Sequence, residues 1–156
     1  MPRLTEIPIE PMRVVVDTRE QSPWQFPPYL VSVRRGGLNA GDYALDGDDG
    51  FAVERKSLDD YAGSVADATR WERLQNEMER MAAAGYPSRV IIVEGTLDDL
   101  FLHRYYGAMP PLLILARTYK LIYNGVAVVF AGDARKAAGV AYGILKCRQE
   151  QIERDE

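Results

Sequence analysis

Three short apolar runs constrain this 156-residue chain more than any other feature: Val14-Val15-Val16, Val90-Ile91-Ile92-Val93 and Val126-Ala127-Val128-Val129-Phe130. They are rich in β-branched residues, and none alternates with polar ones. A strand with one wet face alternates with period two, whereas a strand buried on both faces does not. A sheet of such strands needs cover on both sides, and the intervening segments read as helices. Trp71, Leu74, Met78 and Met81 recur at helical spacing between Ala68 and Ala84, with Asp67 as the cap and Gly85 and Pro87 as the stop. A second helix is expected from Thr96 to about Tyr106, with Leu97, Leu100 and Phe101 inward. Pro110-Pro111 opens a third, whose stripe is Leu112, Leu115, Ala116, Tyr119 and Tyr123, and Asn124-Gly125 ends it. Asp133 caps the last, with Ala137, Ala141, Ile144 and Leu145 inward. Strands that cluster first and then alternate with helices predict an α/β domain of three layers around a mixed sheet. Residues 1–12, with three prolines, read as an extended arm, 13–150 as one domain, and 151–156 as a charged tail, fraying from Gln149.

A chain of this length can bury a sizeable core. Lys and Arg number 19 against 23 Asp and Glu, a net charge of −4, so no basic excess advertises nucleic-acid binding. The single Cys147 excludes an intrachain disulfide and a cysteine zinc site. No apolar run reaches the length of a membrane span, and the N-terminus has no signal-peptide core. A cytoplasmic protein without a membrane partner is expected.

The densest chemistry lies between Gly41 and Asp60. Ala44-Leu45 ends one strand, Asp46-Gly47-Asp48-Asp49-Gly50 makes a turn, and Phe51-Ala52-Val53-Glu54-Arg55-Lys56 is the return strand. Glu54 and Lys56 then share a face, while Arg55 points the other way. Asp42, on the neighbouring strand, meets Glu54 across the pair. Two hard oxygen ligands for Mg²⁺ with an ammonium beside them suit phosphodiester hydrolysis. Asp17 and Glu20, just past the first strand, could anchor a second metal or hold the waters of the first. On spacing alone, a hairpin with solvated charges is the better reading.

Other residues carry two readings each. Ser57 is a good N-cap, and Asp60 three residues on reads as its capping partner. Arg55 suits a buried ion pair, with Asp60 as one partner, as well as a phosphate contact. Arg19 could hold its loop or touch DNA. Arg70, Arg73 and Arg80 could track a phosphate backbone, but a solvated helix face with Arg73 paired to Glu77 at i, i+4 fits too. Arg34-Arg35 is a basic segment before the Gly36-Gly37 turn. His103, the only histidine, reads as a surface or half-buried residue rather than a base. Trp24, Phe26 and Tyr29 read as packing beneath a proline-rich loop rather than a base-stacking platform, and the same holds for Tyr105-Tyr106.

Taken together, Asp17-Thr18-Arg19-Glu20, Gly41-Asp42-Tyr43 and Glu54-Arg55-Lys56 with Asp60 form a set. The chain resembles the nuclease domain of the XPF family of structure-specific endonucleases, whose signature is Asp-x-Arg-Glu, Gly-Asp-Tyr and Glu-Arg-Lys-x-x-x-Asp. The resemblance runs from about Val14 to about Ile144 and is nearest to compact, stand-alone bacterial and phage versions. It implies a restriction-endonuclease-like fold and Mg²⁺-dependent cleavage of branched DNA, with Mn²⁺ as a substitute. It also implies roles in DNA repair and recombination in a bacterial or phage-infected cell. By the same resemblance Asp42 and Glu54 are metal ligands, with Asp17 as a further one and Glu20 as an acidic neighbour. Lys56 is the catalytic lysine, and Arg19, Arg55, Asp60 and Arg73 are in support. Arg34, Arg35 and Arg70 are the candidates for DNA contact. No tandem helix-hairpin-helix domain follows residue 150, so a DNA-loading partner is one expectation. Relatives pair through C-terminal helices, and the helices at 111–124 and 134–148, the latter with Ala137, Ala138, Gly139, Ala141 and Gly143, predict a homodimer. A non-catalytic DNA-binding module and an exonuclease on the same fold are the competing readings.

Overall fold

The computed structural model describes residues 10–83, 88–102 and 109–156. Its elements in chain order are β1 (Met12–Asp17), β2 (Val31–Gly36), β3 (Tyr43–Leu45), β4 (Phe51–Ser57), α1 (Leu58–Ala66) and α2 (Ala68–Ala83). There follow β5 (Ser88–Glu94), α3 (Leu97–Leu102), α4 (Pro111–Tyr123), β6 (Val126–Phe130) and α5 (Ala134–Asp155). The strands form one six-stranded sheet in the order β2-β1-β3-β4-β5-β6. It is mixed, because β3 runs antiparallel to both β1 and β4 while the other pairs are parallel.

The lack of alternation in the apolar runs now has its cause. Val14, Val16, Tyr43, Val53, Val90 and Ile92 pack on one face with Ala137, Ala141 and Leu145 of α5. Ile91 and Val93 face the opposite side, against Leu58, Tyr61, Trp71 and Ile114. Consecutive residues of β5 thus enter two cores, and each fully buried aliphatic side chain adds about 1.5–3 kcal/mol. These are the three expected layers.

Two expectations about helix faces are corrected. On α3 only Leu100 is buried, while Leu97 and Phe101 are about half exposed. On α4 the inward row is Ile114, Leu115, Thr118 and Leu121. Of the expected stripe, Leu112, Ala116, Tyr119 and Tyr123 face outward. This helix is apolar around much of its circumference, so spacing alone could not choose the face. A polar pair is part of the inward row: Tyr61 Oη and Thr118 Oγ1 lie 2.5 Å apart, and Thr118 donates to the Ile114 carbonyl. With that donor committed, Tyr61 is the donor to Thr118.

The C-terminal segment is also corrected. Residues 151–155 continue α5, and Ile152 packs on the core. Arg148 grips Asp48 in the β3–β4 turn with two bonds, at 2.9 and 3.0 Å. The expected arm at 1–12 lies outside the described residues up to residue 9, and so do His103, Tyr105 and Tyr106. Among the described residues, no helix is long and apolar enough to cross a membrane.

Candidate active site

Gly41 sets the geometry. Its φ is +76°, and a Cβ there would lie 2.6 Å from the Ala52 Cβ. Only glycine lets the chain pass so close to β4 in this conformation. Immediately after it, the Asp42 N–H donates to the Val53 carbonyl at 2.9 Å, and the Asp17 N–H donates to the Asp42 carbonyl at 2.9 Å. Val16 faces Tyr43, and Tyr43 faces Val53. Asp17 is thereby tied to Asp42, and the Asp42 carboxylate reaches the Glu54–Arg55 peptide of β4, so the three acids follow one another from β1 to β4 as a row. The row continues into β5 at Ile91.

The three acids are held differently. Asp17 is 1% exposed. Burial pushes its carboxyl up, but bonds from Arg19 Nε (2.7 Å), Leu38 N (3.0 Å) and Arg19 N (3.2 Å) outweigh it and leave the net shift downward. Asp42 is half-buried, and its Oδ2 accepts from Arg55 N at 2.8 Å. Burial raises its pKa, and the favourable Arg55 N–H and Lys56 charge do not fully compensate. Glu54 Oε1 lies 3.9 Å from Lys56 Nζ, on the shared face that alternation predicts. Glu20 joins from the loop, its pKa raised by burial and then by the charge of Asp42. Its buried Oε2 has no hydrogen-bond partner among the described residues.

That Glu20 oxygen faces Arg55 Nη1 at 3.9 Å, while Asp42 has the Lys56 charge nearby and Asp17 as an acidic neighbour. Hard carboxylate oxygens match Mg²⁺ or Mn²⁺. Among the described residues no three Asp, Glu, His or Cys side chains converge on one point.

The opposite face of β4 holds Arg55, and its partner is Glu94 rather than Asp60. Arg55 Nε pairs with Glu94 Oε1, one Nη donates to the Ser22 carbonyl at 2.5 Å, and the guanidinium lies 5.1 Å over the Trp24 ring. Trp24 Nε1 donates to the same Glu94 oxygen at 3.1 Å, and its ring stacks on Tyr43 at 4.5 Å. Phe26 packs edge-on against Tyr43, and Tyr29 is exposed. The aromatic cluster is therefore packing, as expected for Trp24 and Phe26. Ser57 takes the capping role for α1, its Oγ accepting from the Asp60 backbone N–H at 3.1 Å.

The remaining arginines are mostly engaged within the protein. Arg19 holds the loop through Asp17. Arg34 pairs with Asp46 at 2.9 Å, and Arg35 donates to the Glu20 carbonyl at 2.5 Å. Arg70 ties α2 to α1 through Ser64 Oγ at 2.9 Å. Arg73 lies on the exposed side of α2 in an open depression with Glu72 and Asn76. Glu77 pairs with Arg89 at 2.7 Å, and no pairing of Glu77 with Arg73 is seen. Arg89 is the residue that motif reading missed. It is 3% exposed, between Glu54 and Glu77, and burial pulls its pKa down to about 10. The available signal was an arginine two residues before Ile91 in an otherwise apolar run, which places it on an inward position.

Residues 16–144 match the ERCC4 domain family. The chain belongs to that family. It is an XPF-type nuclease domain, with the restriction-endonuclease-like fold expected from its motifs. The solved structure of XPF from Aeropyrum pernix is similar, with a TM-score of 0.64 and 30% identity over 87% of this chain. The same XPF in complex with DNA gives 0.60 and 28% over 90%. A Methanocaldococcus jannaschii protein titled "Putative ATP-dependent RNA helicase MJ1505" is 25% identical over 147 residues, 94% of this chain. The ERCC4 chain described here spans 17% of that relative, and its matches cover 61% and 66% of the two XPF chains.

Proposed function

We propose that this ERCC4 domain is a DNA endonuclease that hydrolyses phosphodiester bonds with Mg²⁺, or with Mn²⁺ in its place, and prefers branched DNA. The observation that carries the reading is that Asp17 is tied to Asp42, the Asp42 carboxylate reaches the Glu54–Arg55 peptide, and Lys56 lies beside Glu54. Asp42 and Glu54 would hold the ion, with Asp17 anchoring the end of the row. A bound ion there polarises a phosphoryl oxygen and lowers the pKa of a water. Lys56 places its ammonium where negative charge grows on the phosphate. Glu20 lies beside the row, near Asp42, with Arg55 3.9 Å from its Oε2. Arg55 acts from behind, fixing the Ser22–Trp24 loop against β4 rather than touching DNA.

The XPF from Aeropyrum pernix was solved with DNA, which supports DNA as the substrate class. Arg34, Arg35 and Arg70 are engaged with protein partners, and the net charge is −4. Tight DNA binding therefore falls to a loading partner or a second copy. The outward Leu112, Leu113, Tyr119, Ile122 and Tyr123 of α4 favour pairing through that helix. The small residues of α5 are less available, because Ala137, Ala138 and Ala141 are buried against the sheet. Light scattering at micromolar concentration should give twice the chain mass.

The test is incubation with closed circular, linear duplex, flap and forked DNA, with Mg²⁺, Mn²⁺ or EDTA. Metal-dependent nicking of the circle and faster cutting of flaps or forks are expected. Degradation of linear DNA alone would indicate an exonuclease. Binding without cutting in any metal would indicate a non-catalytic module.

A further inference from the structure

A guanidinium removed from water is unfavourable unless opposed charge and hydrogen bonds replace that water. Arg89 is faced by carboxylates from two separate elements. One Nη donates to Glu77 Oε1 on α2 at 2.7 Å, and the other meets Glu54 Oε2 on β4. A guanidinium is a planar, rigid fork, so it fixes two carboxylates relative to one another in a way an ammonium does not. The two oxygens of Glu54 are thereby divided. Oε2 is committed to Arg89, while Oε1 is the one near Lys56.

We propose that Arg89 is a positioning residue: gripped by Glu77 on α2, it holds Glu54 so that one oxygen serves the site, and so sets how strongly the site takes up a divalent cation. This rests on the reading of Glu54 as a cation ligand. Its consequence is that Glu77, on the second helix after the motif strand, belongs to the same unit. Without the Glu77 charge, Arg89 is drawn more strongly to Glu54 and competes with the cation for that carboxylate. The local negative charge also falls. Both effects weaken cation uptake.

Replacing Arg89 itself strands two carboxylates against each other and endangers the fold, so the informative change is at Glu77, whose side chain is 41% exposed. Mn²⁺ is titrated into the DNA-free full chain, with the free ion followed by electron paramagnetic resonance. The set is wild type, Glu77→Gln, Glu72→Gln and Glu54→Gln, with the thermal midpoint of each recorded. Glu77→Gln should weaken Mn²⁺ binding on the order of tenfold, as for partners that orient metal ligands, at a midpoint near that of wild type. Glu72→Gln makes the same charge change on the exposed side of α2 and should leave binding unchanged. If Glu77→Gln binds Mn²⁺ as wild type does while Glu54→Gln loses it, the positioning role is overturned and the ligand assignment survives. If Glu54→Gln also binds as wild type does, the assignment of Glu54 fails and takes the positioning role with it.

Discussion

The backbone N–H of Arg55 donates to Asp42 Oδ2 at 2.8 Å, so the residue between Glu54 and Lys56 also anchors the acid on the neighbouring strand. The Asp42 carboxylate and the Glu54–Arg55 peptide are therefore held as one unit at the point where β3 begins.

That unit depends on Gly41. Gly41→Ala brings a Cβ to within 2.6 Å of Ala52 Cβ and forces an alanine to φ +76°. A loss of about 1–3 kcal/mol is expected from the conformation alone. Asp42 would shift with its backbone, so cleavage should fall further than stability does. Chemical denaturation beside a single-turnover assay checks this, and an unchanged rate would count against the single-unit view.

The Arg55–Glu94–Trp24 cluster predicts a change in rate without a change in DNA affinity. Arg55→Lys loses the paired Nε and the contact over Trp24, and should lower stability by about 1–3 kcal/mol. Since Arg55 faces away from the row, kcat should fall while KM for DNA stays near wild type. A large rise in KM instead would show that Arg55 touches the phosphate backbone.

Asp48 and Arg148 give a stability prediction far from the chemistry. Burial raises the Asp48 pKa, but the paired Arg148 guanidinium and the Gly50 N–H outweigh it, so the folded value lies below 3.8. A carboxyl depressed in the folded state stabilises the protein above its unfolded pKa. The contribution is lost as pH falls from about 3.8 through the folded value. Arg148→Ala should cost about 2 kcal/mol at pH 7 and flatten this part of the acid unfolding curve, with cleavage at neutral pH unaffected. Urea melts at several pH values measure both.

Much of this was legible in the sequence. The apolar runs fixed the sheet as buried on both faces, and alternation placed Glu54 and Lys56 together and Arg55 apart. Gly41 and Asp42 were picked out by their place in the motif, while the steric need for glycine emerged only with Ala52 beside it. Two things were not legible. The outward faces of α3 and α4 are as apolar as the inward ones, so spacing did not rank them, and the Tyr61–Thr118 hydroxyl pair shows which face is inward. Arg89 and Glu94 belong to no local pattern. Each acts across strands and helices, and a contact between residues 35 or 39 positions apart leaves no trace in spacing.

The most direct measurement is the single-turnover rate of nicking of closed circular DNA in Mg²⁺ by wild type and Glu54→Gln, with matched thermal midpoints. Glu54→Gln keeps the shape and removes one ligand charge, so the rate should fall about a hundredfold or more, and EDTA should abolish the wild-type activity. A Glu54→Gln protein that nicks within about twofold of wild type would contradict the placement of the ion at Asp42 and Glu54.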